Sequence, residues 1–252
     1  MYKYIHGMET KPRYLQIVDS LEEEIDHLPP NLLLPTEQQL AKRFKVSRVT
    51  IRRALGFLQR LGKISRQRGQ GTVVSPPRIV RHIVPVRALE QDLLEQGLKL
   101  ETAVLVYQAK TSPPEEIRLR LDLKRKEKAG YLALLRAVHG RTICFEQRYL
   151  SPAIASHFDP ALIHEQPLIH VLQRLAGMSV SKNIWMMEIV PARGDVAKAL
   201  GVIPGVLTIV HTFTEYLESG APLDAGIVSH RIDRVRFEFV ASGQSLNLGQ
   251  PK

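Results

Sequence analysis

With 252 residues, 44% of them hydrophobic, the chain is long enough for two domains with a core each, and it has neither the roughly 18 consecutive apolar residues of a membrane span nor an apolar signal-peptide core in its opening MYKYIHGMETKPRY. Its single cysteine, Cys144, excludes an intrachain disulfide and CxxC-type metal or redox sites, so a cytoplasmic protein is expected. The formal charge is +10, but residues 1–81 carry 15 basic and 7 acidic side chains, which excludes a uniformly basic protein and places the excess in the N-terminal third.

In chain order, Tyr14, Ile17, Val18, Leu21, Ile25 and Leu28 recur at helical spacing and predict an amphipathic helix over about 12–27, ended by Pro29 and Pro30. Thr36 stands three residues before Gln39, a capping-box arrangement that opens a second helix with Leu40, Ala41 and Phe44 on its apolar side. Val46 and Ser47 form a turn, and Ser47 is placed to cap a third helix running to about Leu61. Ile51, Ala54, Leu55, Leu58 and Leu61 share its buried stripe. Val49, Arg52, Arg53, Gly56 and Arg60 lie opposite, with Arg48 and Thr50 at the exposed N-terminal edge. Gly62 stops the helix. Ile64–Arg66 and Thr72–Val74 then read as strands joined by the glycine-bearing Gln67-Arg68-Gly69-Gln70-Gly71. Three helices and a basic hairpin over residues 10–75 make a winged helix-turn-helix.

From Gln38 to Leu89 there are 13 Lys and Arg and no Asp or Glu. A single-sign field on a small folded unit attracts a polyanion, and duplex DNA is the densest one in a cell. A helix fits the major groove with its N-terminal side chains at the base edges. Arg48 and Arg52, one turn apart, suit the guanine O6/N7 pair, while Ser47 and Thr50 suit phosphate. Arg68 at the hairpin tip suits the minor groove or the backbone. Lys42, Lys45, Arg53 and Lys63 are expected to add sequence-blind attraction.

Residues 76–82, opened by Pro76-Pro77, read as a linker to a second domain over 83–241, with a disordered tail over 242–252. A short helix over Leu89–Gln96 is closed by Gly97. Strands are expected at Thr102–Tyr107, Tyr131–Val138, Thr142–Tyr149, Ile184–Val190 and Val206–Tyr216, with helices near Pro167–Ala176 and Asp195–Leu200. Tight turns at His139-Gly140-Arg141 and Glu218-Ser219-Gly220 favour an antiparallel sheet with helices, an α+β domain.

The stretch from Pro12-Arg13-Tyr14-Leu15-Gln16-Ile17 through Leu33-Leu34-Pro35-Thr36-Glu37 and Val46-Ser47-Arg48-Val49-Thr50-Ile51-Arg52 to Gly69-Gln70-Gly71-Thr72 resembles the GntR family of bacterial transcriptional regulators. The resemblance implies DNA contacts by Arg48, Thr50, Arg52, Arg68 and Gly69. With their neighbours, the expected DNA-facing set is Thr36, Gln38, Ser47, Arg48, Val49, Thr50, Arg52, Arg53, Arg68, Gly69 and Gln70. Gln38 stands where the family usually has arginine, and Lys45 where glycine is common.

The second domain resembles the effector-binding, UTRA-type domain of the HutC subfamily, which has a chorismate-lyase-like fold. The similarity rests on Leu135-Arg136-Ala137-Val138-His139-Gly140, Glu146-Gln147-Arg148-Tyr149-Leu150, Ser219-Gly220-Ala221-Pro222-Leu223-Asp224 and His230-Arg231-Ile232-Asp233-Arg234-Val235-Arg236-Phe237. It implies effector contacts by Arg136, Glu146, Asp224 and His230. Sugar-phosphate-binding members carry arginine where Leu134 stands, and a serine and a tyrosine where Pro167 and Ile169 stand. Losing a guanidinium and two hydroxyls weakens the hold on a phosphate dianion, so the expected effector is an organic acid with at most one acidic group. A bare Arg136–Glu146 ion pair and a core His230 are the competing readings.

The expectation is a homodimeric repressor on a pseudo-palindromic DNA operator, controlled by a small-molecule effector, with no cofactor, metal or membrane partner. Nine histidines without HxxxH or HExxH spacing, no GxSxG elbow and a Cys144 inside a strand speak against an enzyme. A lyase-like enzyme and a non-specific DNA binder are the alternatives.

Overall fold

The computed structural model describes residues 11–67, 69–83, 87–164 and 166–239, and the chain divides into two compact units, Met1–Arg78 and Ile79–Lys252. In the first, α1 (Arg13–Asp26), α2 (Glu37–Phe44) and α3 (Arg48–Arg60) precede a hairpin of β1 (Ile64–Gln67) and β2 (Gly71–Val74). The helical stripes meet: Ile17, Val18, Leu21 and Ile25 of α1 pack on Ile51, Ala54, Leu55 and Leu58 of α3, closed by Leu40, Ile64 and Val74. Each such Ile, Leu or Val side chain taken out of water contributes about 1.5–3 kcal/mol.

The caps expected at Thr36 and Ser47 are formed. The Gln39 amide donates to Thr36 Oγ1 while Gln39 Oε1 accepts from the Thr36 amide at 2.8 Å, and the Thr50 amide donates to Ser47 Oγ at 3.2 Å. Between α2 and α3 the chain reverses at Lys45, which is left-handed with φ 51. The hairpin is antiparallel, with Gln67 opposite Gly71. Arg68 lies outside the described residues, as do residues 242–252, where the tail was expected.

The second unit is built on a six-stranded antiparallel sheet in the order β4-β5-β6-β9-β8-β7. Its strands are β4 (Glu101–Thr111), β5 (Ala129–Val138), β6 (Arg141–Leu150), β7 (Val180–Pro191), β8 (Leu207–Leu217) and β9 (Pro222–Arg231). A separate parallel pair joins β3 (Ile79–His82) to β10 (Val235–Glu238). Residues 79–82, expected within the linker, are therefore a strand of the second unit. β9 was not among the expected strands because it is buried on both faces, so PLDAGIVSHR shows no polar alternation.

Register decides which side chains share a face. Arg136, Cys144, His230 and Ile209 form one row across β5, β6, β9 and β8, and Leu134, Glu146, Val228 and His211 form the next. Leu132, Arg148, Gly226 and Phe213 form the third, extended by Trp185 of β7. The fourth runs Leu150, Asp224, Glu215, Asn183. Part of this face is covered by α6 (Pro152–Ala155) and α7 (Leu168–Ala176), which pack Ile154, Val171 and Leu172 on Leu132 and Leu134. Another part is covered by α4 (Leu89–Glu95), whose Leu89 and Leu93 pack with Ile79, Phe213 and Val228. On the opposite face, α5 (Glu115–Arg120) packs Ile117 with Ala129 and Ala225, and α8 (Gly194–Leu200) packs Leu200 with Ala133 and Phe145.

Candidate functional site

In the first unit, the N-terminal edge of α3 presents Arg48, Val49 and Arg52 to solvent, Val49 with 73% of its surface exposed. Thr50 is half-buried, its hydroxyl 2.9 Å from that of Ser47. Thr36 and Gln38 are exposed at the start of α2, and Gly69 and Gln70 are exposed in the hairpin turn.

Glu37, which sequence reasoning had not singled out, pairs with two arginines of this region. Its Oε2 accepts from Arg52 Nη2 at 3.0 Å and its Oε1 from Arg66 Nη2 at 3.1 Å. The Arg52 hydrogen bond outweighs partial burial and holds the Glu37 carboxyl below its usual range. The signal was its position, the last acid before the acid-free run. Two expected sequence-blind cations have partners on α1. Arg53 lies over the Tyr14 ring at 3.9 Å, and Lys63 pairs with Asp26 at 2.6 Å and Glu22 at 3.2 Å. Both brace α1.

The second unit encloses a cleft of about 640 Å³, counting its open mouth, on the helix-covered face of the sheet. Arg136, Glu146 and His230 line it; Asp224 does not, and lies behind, fully buried. Arg136 Nε donates to Glu146 Oε1 at 3.1 Å, while its Nη1 reaches Thr102 Oγ1 at 2.7 Å and Glu90 Oε1, on α4, at 3.3 Å. Arg148 continues the chain, with Nε to Glu146 Oε2 at 3.1 Å and Nη1 to Asp224 Oδ2 at 2.6 Å, its guanidinium 4.4 Å over the Phe213 ring. The Arg136–Glu146 pair is thus part of a network that lines a cavity.

Burial alone would raise the Glu146 carboxyl, but Arg136 and Arg148 on either side bring it down to about 2. Glu215 behaves oppositely: burial, then the neighbouring Asp224 charge, raise it well above the carboxylate range. His230 Nε2 and His211 Nδ1 are 3.0 Å apart, and Trp185, His211 and His230 stack in a column with centroids 4.4 and 5.0 Å apart. Burial holds both imidazoles neutral, His211 at about 3. Burial also pushes the Cys144 thiol up, which suits a core residue rather than a nucleophile.

Arg148, Asn183, Trp185, His211 and Glu215 were not expected at the site. Their signal was period-two spacing, since Glu146 and Arg148, or Asn183 and Trp185, share a face two residues apart. Leu134, where sugar-phosphate binders carry arginine, is fully buried in the core, and Leu168 and Ile169 of α7 give the cavity an apolar wall. Among the described residues no cluster of three or more His, Cys, Asp or Glu could hold a metal ion, and no helix is long and apolar enough to cross a membrane.

A basic winged helix joined to a second domain with a cleft of mixed polar and apolar lining is the make-up of a DNA-binding regulator. The family model of the bacterial regulatory proteins of the gntR family matches residues 13–74, and that of the UTRA domain matches residues 95–236. The chain belongs to the GntR family of transcriptional regulators, in its UTRA-containing, HutC-type branch. It is 30% identical over 234 residues to the HTH-type transcriptional regulator Rv0792c of Mycobacterium tuberculosis, covering 90% of this chain and 84% of that one. It is 25% identical to the HTH-type transcriptional repressor NagR of Bacillus subtilis, covering 92% and 96%. The crystal structure of PhnF from Mycobacterium smegmatis shares the fold, with a TM-score of 0.62 and 20% identity over 90% of this chain and 100% of that one. Rv0792c and NagR are named as transcriptional regulators, and the chain is a regulator rather than an enzyme.

Proposed function

We propose that the protein is a cytoplasmic, homodimeric repressor that binds a pseudo-palindromic operator and is released from it by a small organic acid. The observation that carries this reading is the exposed N-terminal edge of α3, where Arg48 and Arg52 stand one turn apart above the Ser47 cap. Arg48 and Arg52 read guanine edges, Ser47 and Thr50 meet phosphate, and Thr36, Gln38, Val49, Gly69 and Gln70 frame the contact. Arg53, held on Tyr14, acts through packing.

One recognition helix covers too short a site for genomic specificity, which favours two copies with half-sites about one DNA turn apart. β7 supports such pairing. It is one of the two edge strands of the sheet, with β4, and exposes Ile184, Met186, Met187 and Ile189. In the second unit, an effector carboxylate takes Arg136 by displacing Glu90, whose side chain is 25% exposed and sits at the longest of the three Arg136 contacts. With Leu134 in place of a second arginine, one acidic group is the limit. Linkage to DNA affinity is then a coupling of about 1–3 kcal/mol.

Fluorescence anisotropy with the protein's own upstream region and a scrambled duplex tests the reading. A preference above about a thousandfold at moderate salt is expected; equal affinities on genome-selected and scrambled duplexes overturn it.

A further inference from the structure

Asn183, Glu215 and Asp224 stand side by side on β7, β8 and β9, in register on the cavity face. Glu215 is nine-tenths buried and Asp224 completely so. Asn183 Nδ2 donates to Glu215 Oε1 at 3.2 Å, and Arg148 Nη1 donates to Asp224 Oδ2 at 2.6 Å. Asn183 Oδ1 is then left buried with no donor, while Glu215 Oε2 and Asp224 Oδ1 have between them only the proton that Glu215 holds. Arg148 Nη1 is 3.7 Å from Glu215 Oε2, outside hydrogen-bond range. Asn183 and Glu215 line the cavity, as does Trp185, two residues along β7 on the same face.

The charges lean the same way. Around Arg136 and Arg148 stand four carboxylates, those of Glu90, Glu146, Glu215 and Asp224. Both guanidiniums already hold a carboxylate within 3.1 Å. An anion entering this end meets the Trp185 Nε1 donor but no unpaired guanidinium, whereas an N–H donor meets two lining acceptors, Asn183 Oδ1 and Glu215 Oε2. Buried acceptors without partners are costly, and a ligand that satisfies them recovers that cost on binding.

We propose that the effector presents a protonated amine or amidine nitrogen to Glu215 Oε2 and Asn183 Oδ1, with its carbon frame against Trp185. This rests on the cavity being the effector site, and it makes the organic acid an amphoteric one, acidic toward Arg136 and cationic toward β8. Burial and the Asp224 charge keep a proton on Glu215 in the empty site, while Arg148 opposes them and Glu146 adds to them. The incoming cation takes that proton's place, so one proton leaves as the ligand binds.

The test uses the full chain with benzylamine, benzoate and 4-(aminomethyl)benzoate at millimolar concentration, read by thermal shift and by calorimetry in buffers of differing ionisation heat. Both amines are expected to raise the Tm and release close to one proton, benzoate to bind more weakly than either and release none, and Glu215→Gln to weaken amine binding at least tenfold. Asn183→Leu provides a second variant with the same expectation. Benzoate binding more tightly than benzylamine, no response to either amine, or amine binding unchanged in both variants overturns the proposal. Amine binding that leaves operator affinity untouched supports the amine site and overturns the effector reading instead.

Discussion

Arg52 on the exposed edge of α3 is held by Glu37 of α2 at 3.0 Å, and the same carboxylate holds Arg66 of the hairpin at 3.1 Å. One acid thus ties together three elements of the winged helix and fixes the direction of a proposed base-reading fork before DNA arrives. Freed of Glu37, both arginines become general phosphate ligands. Glu37→Gln is therefore expected to raise affinity for a scrambled duplex and steepen the salt dependence, log K against log salt, by about one to two units. Arg52→Ala should instead relax preference at one base pair per half-site, on the order of tenfold or more. Salt titrations of both variants on operator and scrambled duplexes check this; an unchanged slope for Glu37→Gln removes the pairing from the recognition mechanism.

Lys63 gives the opposite outcome. Its ammonium sits between Asp26 and Glu22, and these hydrogen bonds keep its pKa raised against the effect of burial. Lys63→Ala should leave the salt slope for DNA unchanged and cost about 1 kcal/mol or less in stability, as partly exposed ion pairs do. A shallower slope in this variant would falsify the assignment of Lys63 to the bracing of α1.

The first unit was legible in the sequence because its signals are local. Caps at Thr36 and Ser47, stripes at 3.6-residue spacing and glycines at Gly62, Gly69 and Gly71 each act within a few residues. The cavity was legible only in part. Arg136, Glu146, Asp224 and His230 came from resemblance, whereas Asn183, Trp185, His211 and Glu215 join them through the β7-β8-β9 register, a pairing between distant segments. β9 hid for a related reason: a strand buried on both faces carries no alternation, and Asp224 and Gly226 lower its strand propensity. β3 and β10 were invisible because a parallel pair joins positions some 156 residues apart, as Ile79 and Val235 do.

Lys45 holds a left-handed conformation, φ 51, at the end of α2, where a side chain is a steric cost and glycine is not. The loss of conformational entropy by glycine offsets part of the gain. Lys45→Gly is expected to stabilise the winged helix by about 0.5–1 kcal/mol, read as a shifted denaturant midpoint at unchanged slope. A destabilised variant would show that the Lys45 side chain makes a contact worth more than the strain.

Acid and base act on the second unit through opposing groups. His211 and His230 are depressed, the first to about 3, so they stay neutral when folded but protonate in the unfolded chain below 6.5. Their contribution to stability is complete above 6.5 and is lost as pH falls. Glu215 is raised, so its contribution is complete below the unfolded value near 4.5 and is lost as pH rises. Between 4.5 and 6.5 the two histidines of the unfolded chain take up more protons than the one Glu215 keeps in the folded chain, so stability climbs with pH. Above about 6.5 only the Glu215 effect remains and stability declines. Glu146, held at about 2, adds a further loss below 4.5. Denaturation midpoints across pH should climb between 4.5 and 6.5 and then fall, and Glu215→Gln should both steepen the climb and flatten the alkaline limb.

Gly226 is where sheet packing and the cavity chemistry meet. A methyl group there would lie 2.2 Å from the Gln147 carbonyl oxygen on β6 and 2.9 Å from two Phe213 ring carbons. Phe213 lies over this bare position and in turn carries the Arg148 guanidinium at 4.4 Å. Gly226→Ala should cost about 1–3 kcal/mol by overpacking and, by moving Phe213 and with it Arg148, should also weaken benzylamine binding. Gly130→Ala is the control. Its methyl would press to 2.6 Å on Ala155 of α6, with Leu150 next nearest, and touch no cavity-lining side chain. That variant should lose comparable stability yet keep ligand affinity. If both variants lose binding in proportion to stability, the cavity depends only on the integrity of the sheet; if Gly226→Ala alone does, the bare backbone at 226 holds Arg148 in place.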